Sequence, residues 1–185
     1  MNLKTKRLKL EEITNDDLPL IHNIHCVPEV DEFNTLGIPK DLDETRKVMQ
    51  PDIDDQVKNP RSRFCWKILH AETGEFIGLA GMFLSNDRFK MGEFYYKFYP
   101  NHWGKGYATE TARALIKFGF NECKLHRIEA GVATQNSASV RVLEKSGMTC
   151  EGIRRKILPI RGEWKDNFHF AIIEDEFKDA SVRQS

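Results

Sequence analysis

Cysteine is scarce in this 185-residue chain: Cys26, Cys65, Cys123 and Cys150 are scattered, and no Cys-x-x-Cys pair occurs. That spacing supports neither a disulfide framework nor a thiolate metal site, and buried free thiols in a reducing compartment are the simpler expectation. Net charge is missing as well. Lys plus Arg balances Asp plus Glu at 28 each, so no field of one sign recommends nucleic acid or an anionic membrane as a partner. Nowhere do about 18 apolar residues follow one another, which excludes a helical membrane span. Residues 1–7 lack the apolar core of a secretory signal, and a cytoplasmic protein is expected. His22-x-x-His25-Cys26 has a metal-like spacing, but no second cluster completes a coordination shell, so no metal is expected. Internal repeats, low-complexity tracts and linkers are also wanting. The remainder, 40% hydrophobic and 30% charged, suits one domain with a real core over residues 1–178, followed by a frayed tail at 179–185.

Hydrophobic periodicity gives the elements. Residues 6–13 alternate around Leu8 and Leu10 as an opening strand. Thr14-Asn15-Asp16-Asp17 starts a helix that turns Leu18, Ile21 and Ile24 inward and fades by Pro28. A second helix is expected from about Asp41 to just before Pro51, in a stretch rich in carboxylates: Asp41, Asp43, Glu44, Asp52, Asp54 and Asp55. From Arg63 the period becomes two: Phe64, Trp66 and Ile68 share a face, Thr73-Gly74 turns the chain, and residues 76–84 return as a strand. A further strand over 93–99 ends at Pro100. Ala108, Ala112, Leu115, Ile116, Gly119, Phe120 and Cys123 then line one stripe of a long helix. A strand at 127–133, a helix at 136–146 stopped by Gly147, and strands near 149–158 and 164–173 complete the order. Seven strands and four helices in this succession describe an α+β domain built on a mixed sheet.

Chemistry is concentrated in Tyr99-Pro100-Asn101-His102-Trp103-Gly104-Lys105-Gly106-Tyr107-Ala108-Thr109-Glu110. A strand ends, two glycines allow a tight turn, and a long helix begins at once. The first N–H groups of a helix have no internal partners and face the positive end of its dipole. Glycine removes the side chain that would hold a phosphate away from them. A diphosphate fits such a turn, and so does a glycine turn without any ligand. No Walker sequence is present, and a dinucleotide fingerprint fails where Thr109 replaces its third glycine.

The segment resembles the acetyl-CoA-binding motif of the GNAT superfamily of N-acetyltransferases, Q/R-x-x-G-x-G/A. More narrowly, residues 103–110 are similar to the RimJ/RimL-type branch, which acetylates ribosomal-protein N-termini and related amines. The likeness continues through His126-Arg127-Ile128-Glu129-Ala130, Asn136-Ser137-Ala138-Ser139, Val142-Leu143-Glu144-Lys145-Ser146-Gly147-Met148, Glu151-Gly152 and the opening Thr5-Lys6-Arg7-Leu8. It implies a V-splayed mixed sheet flanked by helices, opened between residues 93–99 and 127–133. It also implies acetyl-CoA as co-substrate, its pyrophosphate on the amides of Trp103, Gly104, Lys105, Gly106, Tyr107 and Ala108, with Thr109 beside them. The acetyl carbonyl would meet a backbone N–H near Phe98.

Direct acetyl transfer needs a neutral amine, a stabilised oxyanion and a protonated or solvated thiolate. By resemblance, Ser139 would protonate the thiolate, Asn136 would cap its helix and touch the pantetheine arm, and Glu93 would act as base. Both Ser139 and Glu93 also have plain structural readings, as a helix first-turn residue and a solvated carboxylate. Many relatives carry an acid tyrosine where this chain has Leu143, and some a carboxylate where it has Leu158, unless Glu163 substitutes. The implied acceptor is an amine, first of all a protein N-terminal α-amine. A polyamine, amino sugar or amine antibiotic, and a non-catalytic acyl-CoA sensor, stay open at this point. The acidic stretch offers attraction for a cationic acceptor or a solvated helix face. Homodimers are common in the family, and no pattern here demands one.

Overall fold

A computed structural model describes residues 1–85 and 88–178; the expected frayed tail at 179–185 lies outside the described residues. The chain runs β1 (Leu3–Lys4), β2 (Leu8–Glu12), α1 (Leu18–His25), α2 (Pro28–Asp31), α3 (Leu42–Asp54), β3 (Arg63–His70), β4 (Phe76–Leu84), β5 (Met91–Phe98), α4 (Tyr107–Asn121), β6 (Arg127–Ala133), α5 (Ser137–Lys145), β7 (Thr149–Ile160) and β8 (Glu163–Ile173). Among the described residues the strands form one sheet in the order β1-β2-β3-β4-β5-β6-β8-β7. Only β5 and β6 pair in parallel; every other pairing is antiparallel. This is the expected mixed α+β sheet, with eight strands instead of seven.

The two faces of the sheet bury different layers. Phe64, Trp66, Phe94, Phe98, Ile128 and Phe170 share a cluster with the apolar stripe of α4 and with Leu143 of α5. Trp66 stacks on Phe64 at 5.6 Å and meets Phe118 edge-on at 5.3 Å; truncating a side chain so buried costs about 3–5 kcal/mol. On the other face Ile13, Leu18, Ile21 and Met49 cover Cys65 and Leu79. Helix α4 lies close on β6 because Gly119 lacks a side chain: a Cβ there would meet Ile128 Cδ1 at 2.6 Å.

Four expectations need correction. The two-residue β1 is too short for an alternation to be visible, and pairs through Leu3↔Leu10. Helix α1 ends at His25, ahead of Pro28 as expected, but an unexpected short helix, α2, opens with Pro28 at its first position, where the missing N–H is not needed. Helix α3 passes through Pro51 to Asp54. An interior proline costs about 3 kcal/mol, yet this one sits in the last turn, where tertiary bonds hold the chain. Asp52 accepts from Arg63 Nε at 2.6 Å, and Asp55 accepts the Ser62 and Arg63 backbone N–H groups at 2.7 Å each. Finally, the thiols are free but not uniformly buried: Cys65 is buried, Cys26 and Cys123 are half-buried, and Cys150 is exposed.

Candidate active site

The site begins where a strand pairing stops. β5 and β6 pair only through Met91↔Arg127, Gly92↔Ile128 and Glu93↔Glu129. Beyond those residues β5 stays with β4 as far as Phe98↔Gly78, while β6 stays with β8 as far as Ala133↔Asn167. The two parallel strands therefore part, and a wedge opens from Phe94 onward. Tyr99 N–H donates to the Ile77 carbonyl at 3.1 Å. Strand alternation turns the peptide groups of the preceding residue the other way, so the Phe98 N–H and C=O face the open side. The C=O accepts from Trp103 Nε1 at 2.8 Å.

At the mouth of the wedge the glycine loop meets α4. Gly104 has φ +72° and Gly106 φ +80°, conformations that glycine alone adopts without strain. A Cβ at Gly104 would meet nothing within 4 Å, and one at Gly106 only Arg7 Nη2 at 3.5 Å. Gly106 is the N-cap of α4 and no side chain caps it, so the first-turn amides of Tyr107, Ala108 and Thr109 keep their donors for an outside acceptor. An open cradle of uncapped amides fits a diphosphate. Beside it runs a groove of about 620 Å³ lined by Lys4, Arg7, Arg113, Lys117 and Lys145 against a single carboxylate, Glu110, a balance suited to a polyanionic nucleotide. Trp103 and Lys105 are exposed at the rim.

Sequence reasoning quoted Arg7 and Glu110 without seeing their partnership. Glu110, in the first turn of α4, accepts from Thr5 Oγ1 at 2.6 Å, Arg7 N–H at 2.8 Å and Arg7 Nε at 2.7 Å. Arg7 also donates to the Lys105 carbonyl at 3.0 Å and lies 4.6 Å over the Tyr107 ring. Burial pushes the Glu110 carboxyl up, but the Thr5 and Arg7 hydrogen bonds and the Arg7 charge outweigh it and hold the pKa down. The opening segment thereby buttresses the glycine loop. His102, buried behind it, faces Glu75 Oε1 at 3.2 Å.

Asn136 caps α5, its Oδ1 accepting the Ser139 N–H at 3.0 Å. The Ser139 hydroxyl stays free of that cap and faces the Tyr96 phenol of β5, whose pKa burial pushes up to about 12 against the pull of Ser139. Leu143 is buried in the core and offers nothing to the wedge. Glu93 is exposed at the last β5–β6 pair, opposite Glu129. Glu163 pairs with Lys165 at the exposed start of β8.

Glu93, Tyr95 and Lys97 alternate onto the sheet face under α1 and α3, opposite the α4 side. Burial pushes the Lys97 ammonium down to about 8, against the pull of Asp31. Arg161, at the β7–β8 turn, reaches across to the Pro28 carbonyl at 3.0 Å and to Asp31 at 3.5 Å. No spacing in the sequence marked Tyr96, Lys97 or Arg161. The acidic stretch is divided: Asp41, Asp43 and Asp54 are exposed, Glu44 is half-buried, and Asp52 and Asp55 are buried. Asp41 accepts the Glu44 N–H, Asp43 pairs with Arg46, Glu44 accepts the Lys40 N–H, Asp54 takes Gln50, and Asp52 and Asp55 are buried on the partners named above. His22 bonds Thr45 Oγ1 at 2.8 Å and His25 is buried; among the described residues no group of three or more potential ligands gathers for a metal, and no helix is long and apolar enough to cross a membrane.

Residues 7–149 match the family model described as an acetyltransferase (GNAT) domain. The chain is 30% identical over 175 residues to the uncharacterized N-acetyltransferase p20 of Bacillus licheniformis, covering 95% of this chain and 97% of that one. It is 25% identical over 175 residues, 95% and 98% of the two chains, to the spermidine N(1)-acetyltransferase of Vibrio cholerae. The crystal structure of the ribosomal-protein-S5-alanine acetyltransferase from Vibrio fischeri superposes with a TM-score of 0.81 at 21% identity, over 97% of this chain and 100% of that one, a likeness of fold.

Proposed function

The chain belongs to the GNAT acetyltransferase family and is an acetyl-CoA-dependent N-acetyltransferase, and from that premise we propose that its acceptor is a protein N-terminal α-amine, as in the RimJ/RimL-type branch. The observation that carries this reading is the fate of the acidic stretch. All six of its carboxylates are engaged within the chain, two of them buried. Three of the six are already offset by cations, Asp43 by Arg46, Asp52 by Arg63 and Asp55 by Lys58, which lowers the attraction for a polycation, and the Lys97 ammonium on the acceptor side opposes it further. An N-terminal amine needs less help: its pKa is near 8, so a modest base leaves a useful neutral fraction at pH 7.

The roles follow from placement. Acetyl-CoA supplies an activated acyl carbon on a thiol leaving group. The uncapped amides of Tyr107, Ala108 and Thr109 hold its diphosphate, with Gly104 keeping the cradle open and Arg7 and Glu110 bracing the loop. The Phe98 N–H receives the charge developing on the carbonyl oxygen. Glu93, exposed where the strands part, takes the amine proton, and Ser139 serves the departing sulfur. A cytoplasmic location accords with such an acceptor.

A polyamine acceptor is the second reading, favoured by the relative named as a spermidine acetyltransferase. Thiol release from acetyl-CoA with N-terminal peptides, spermidine and amino sugars separates the two. Faster turnover per molar peptide than spermidine supports the proposal; turnover on spermidine alone overturns it.

A further inference from the structure

Among the described tyrosines, Tyr96 alone has a buried hydroxyl oxygen without a hydrogen-bond partner. Leaving a buried phenol unpaired costs about 1–3 kcal/mol, which phenylalanine would avoid. A group kept at such a cost calls for an explanation. Its position supplies one. Tyr96 lies past Glu93 on the arm of β5 that has left β6 while still paired to β4, so its backbone borders the wedge. Its ring is on the α4 side, 6.4 Å from Phe94 and 6.3 Å from Phe98, the residue whose peptide faces the gap. The Ser139 hydroxyl at the start of α5 lies against it. Leu143, further along α5, is packed into the core and donates nothing.

We propose that the Tyr96 hydroxyl donates a hydrogen bond to the sulfur of coenzyme A as it departs, acting beside Ser139. The inference rests on the acetyltransferase reading but not on any particular acceptor. In the transfer the amine nitrogen forms a bond to the acetyl carbon, and the C–S bond breaks with its electron pair on sulfur. The amine gives up one proton and the sulfur gains one, by way of Ser139 and solvent. Tyr96 keeps its own proton throughout, because a phenol titrating near about 12 holds it more tightly than a thiol titrating near ~8.5. Its contribution is to stabilise the anion, not to neutralise it. The partner that the hydroxyl lacks in the free protein is the one the reaction provides.

Tyr96→Phe in the full chain tests this on three readouts. The thermal midpoint of the free variant should equal or exceed that of the natural protein, since an unsatisfied hydroxyl is removed. Turnover on the best acceptor should fall roughly 10- to 100-fold, the loss of one hydrogen bond to a charged group, with CoA affinity in calorimetry changed less than about 3-fold. The thiol of bound CoA, titrated by its ultraviolet thiolate absorbance with no acceptor present, should ionise at least about one pH unit lower in the natural protein than in the variant. Unchanged turnover overturns the proposal, as does an activity loss that tracks a lowered thermal midpoint. An identical thiol titration in both proteins overturns it even if no acceptor is ever found, whereas failure of every acceptor with the titration shift intact refutes only the acceptor assignment.

Discussion

Replacing Gly104 by leucine separates the phosphate cradle from the fold around it. Gly104 sits at φ +72° with open space where a Cβ would project, so the substitution meets no atom of the chain. Its structural cost is the left-handed backbone alone, about 1–2 kcal/mol for a residue with a side chain, or roughly 2–8 °C in thermal midpoint at this chain length. The cost to binding is larger. The new side chain occupies the space above the uncapped amides of α4, and losing two hydrogen bonds to a charged phosphate at about 1.5–3 kcal/mol each weakens CoA about 10²- to 10⁴-fold. Gly37→Leu is the matched control: its φ is +75° and its Cβ also meets nothing within 4 Å, but it lies between α2 and α3, away from the loop. Calorimetry with CoA and a thermal melt on each variant complete the experiment. Both variants should lose similar stability, and only Gly104→Leu should lose the ligand. Natural affinity in Gly104→Leu, or an equal loss in Gly37→Leu, would refute the cradle.

Ser139→Ala should lower turnover at least 10-fold while CoA affinity and stability hold, because the α5 cap uses the Ser139 backbone N–H and not its hydroxyl; steady-state kinetics at natural rates would remove the residue from the mechanism. Glu93→Gln should depress kcat/KM at pH 7 by about 10²-fold or more, with the deficit shrinking above pH ~8 as the amine loses its proton unaided; a pH-independent deficit would mean that Glu93 is not the base. Acid should weaken the fold through His25. Burial first, then the charges of Lys97 and His22, push its imidazole from 6.5 to about 3, so the unfolded chain binds the extra proton, and stability falls as pH drops from 6.5 toward 3. Between pH 7 and pH 5 urea denaturation should register a loss of about 2 kcal/mol from this group. His25→Leu should abolish that part of the slope; an unaltered slope would place the acid sensitivity elsewhere.

The local grammar was legible in the residues alone. The apolar stripe of α4, the Asn136 cap and Gly147 stop of α5, the hairpin around Gly74 and the bounds of β6 each follow from a period or a turn residue within a dozen positions. The glycine pair before α4 likewise announces a turn onto open amides, since helix ends and φ > 0 are properties of a short stretch. Lone residues were harder. Pro51 looked like a stop and was overruled by Asp52 and Asp55, whose partners lie 7 to 11 positions away, bonds that no helical period encodes.

Sequence by itself determined most of the helices and strands and the glycine turn onto the open amides of α4. Only the tertiary structure decided what surrounds the reacting atoms. The wedge exists because β5 and β6 share three residue pairs and then follow different neighbours. Tertiary packing likewise sets Tyr96 beside Ser139, lets Glu110 brace Arg7 across 103 positions, and draws Asp52 and Asp55 onto Arg63 and Ser62. Such contacts are chosen by strand register and packing among distant residues, and a linear pattern with a reach of a few positions carries no record of them.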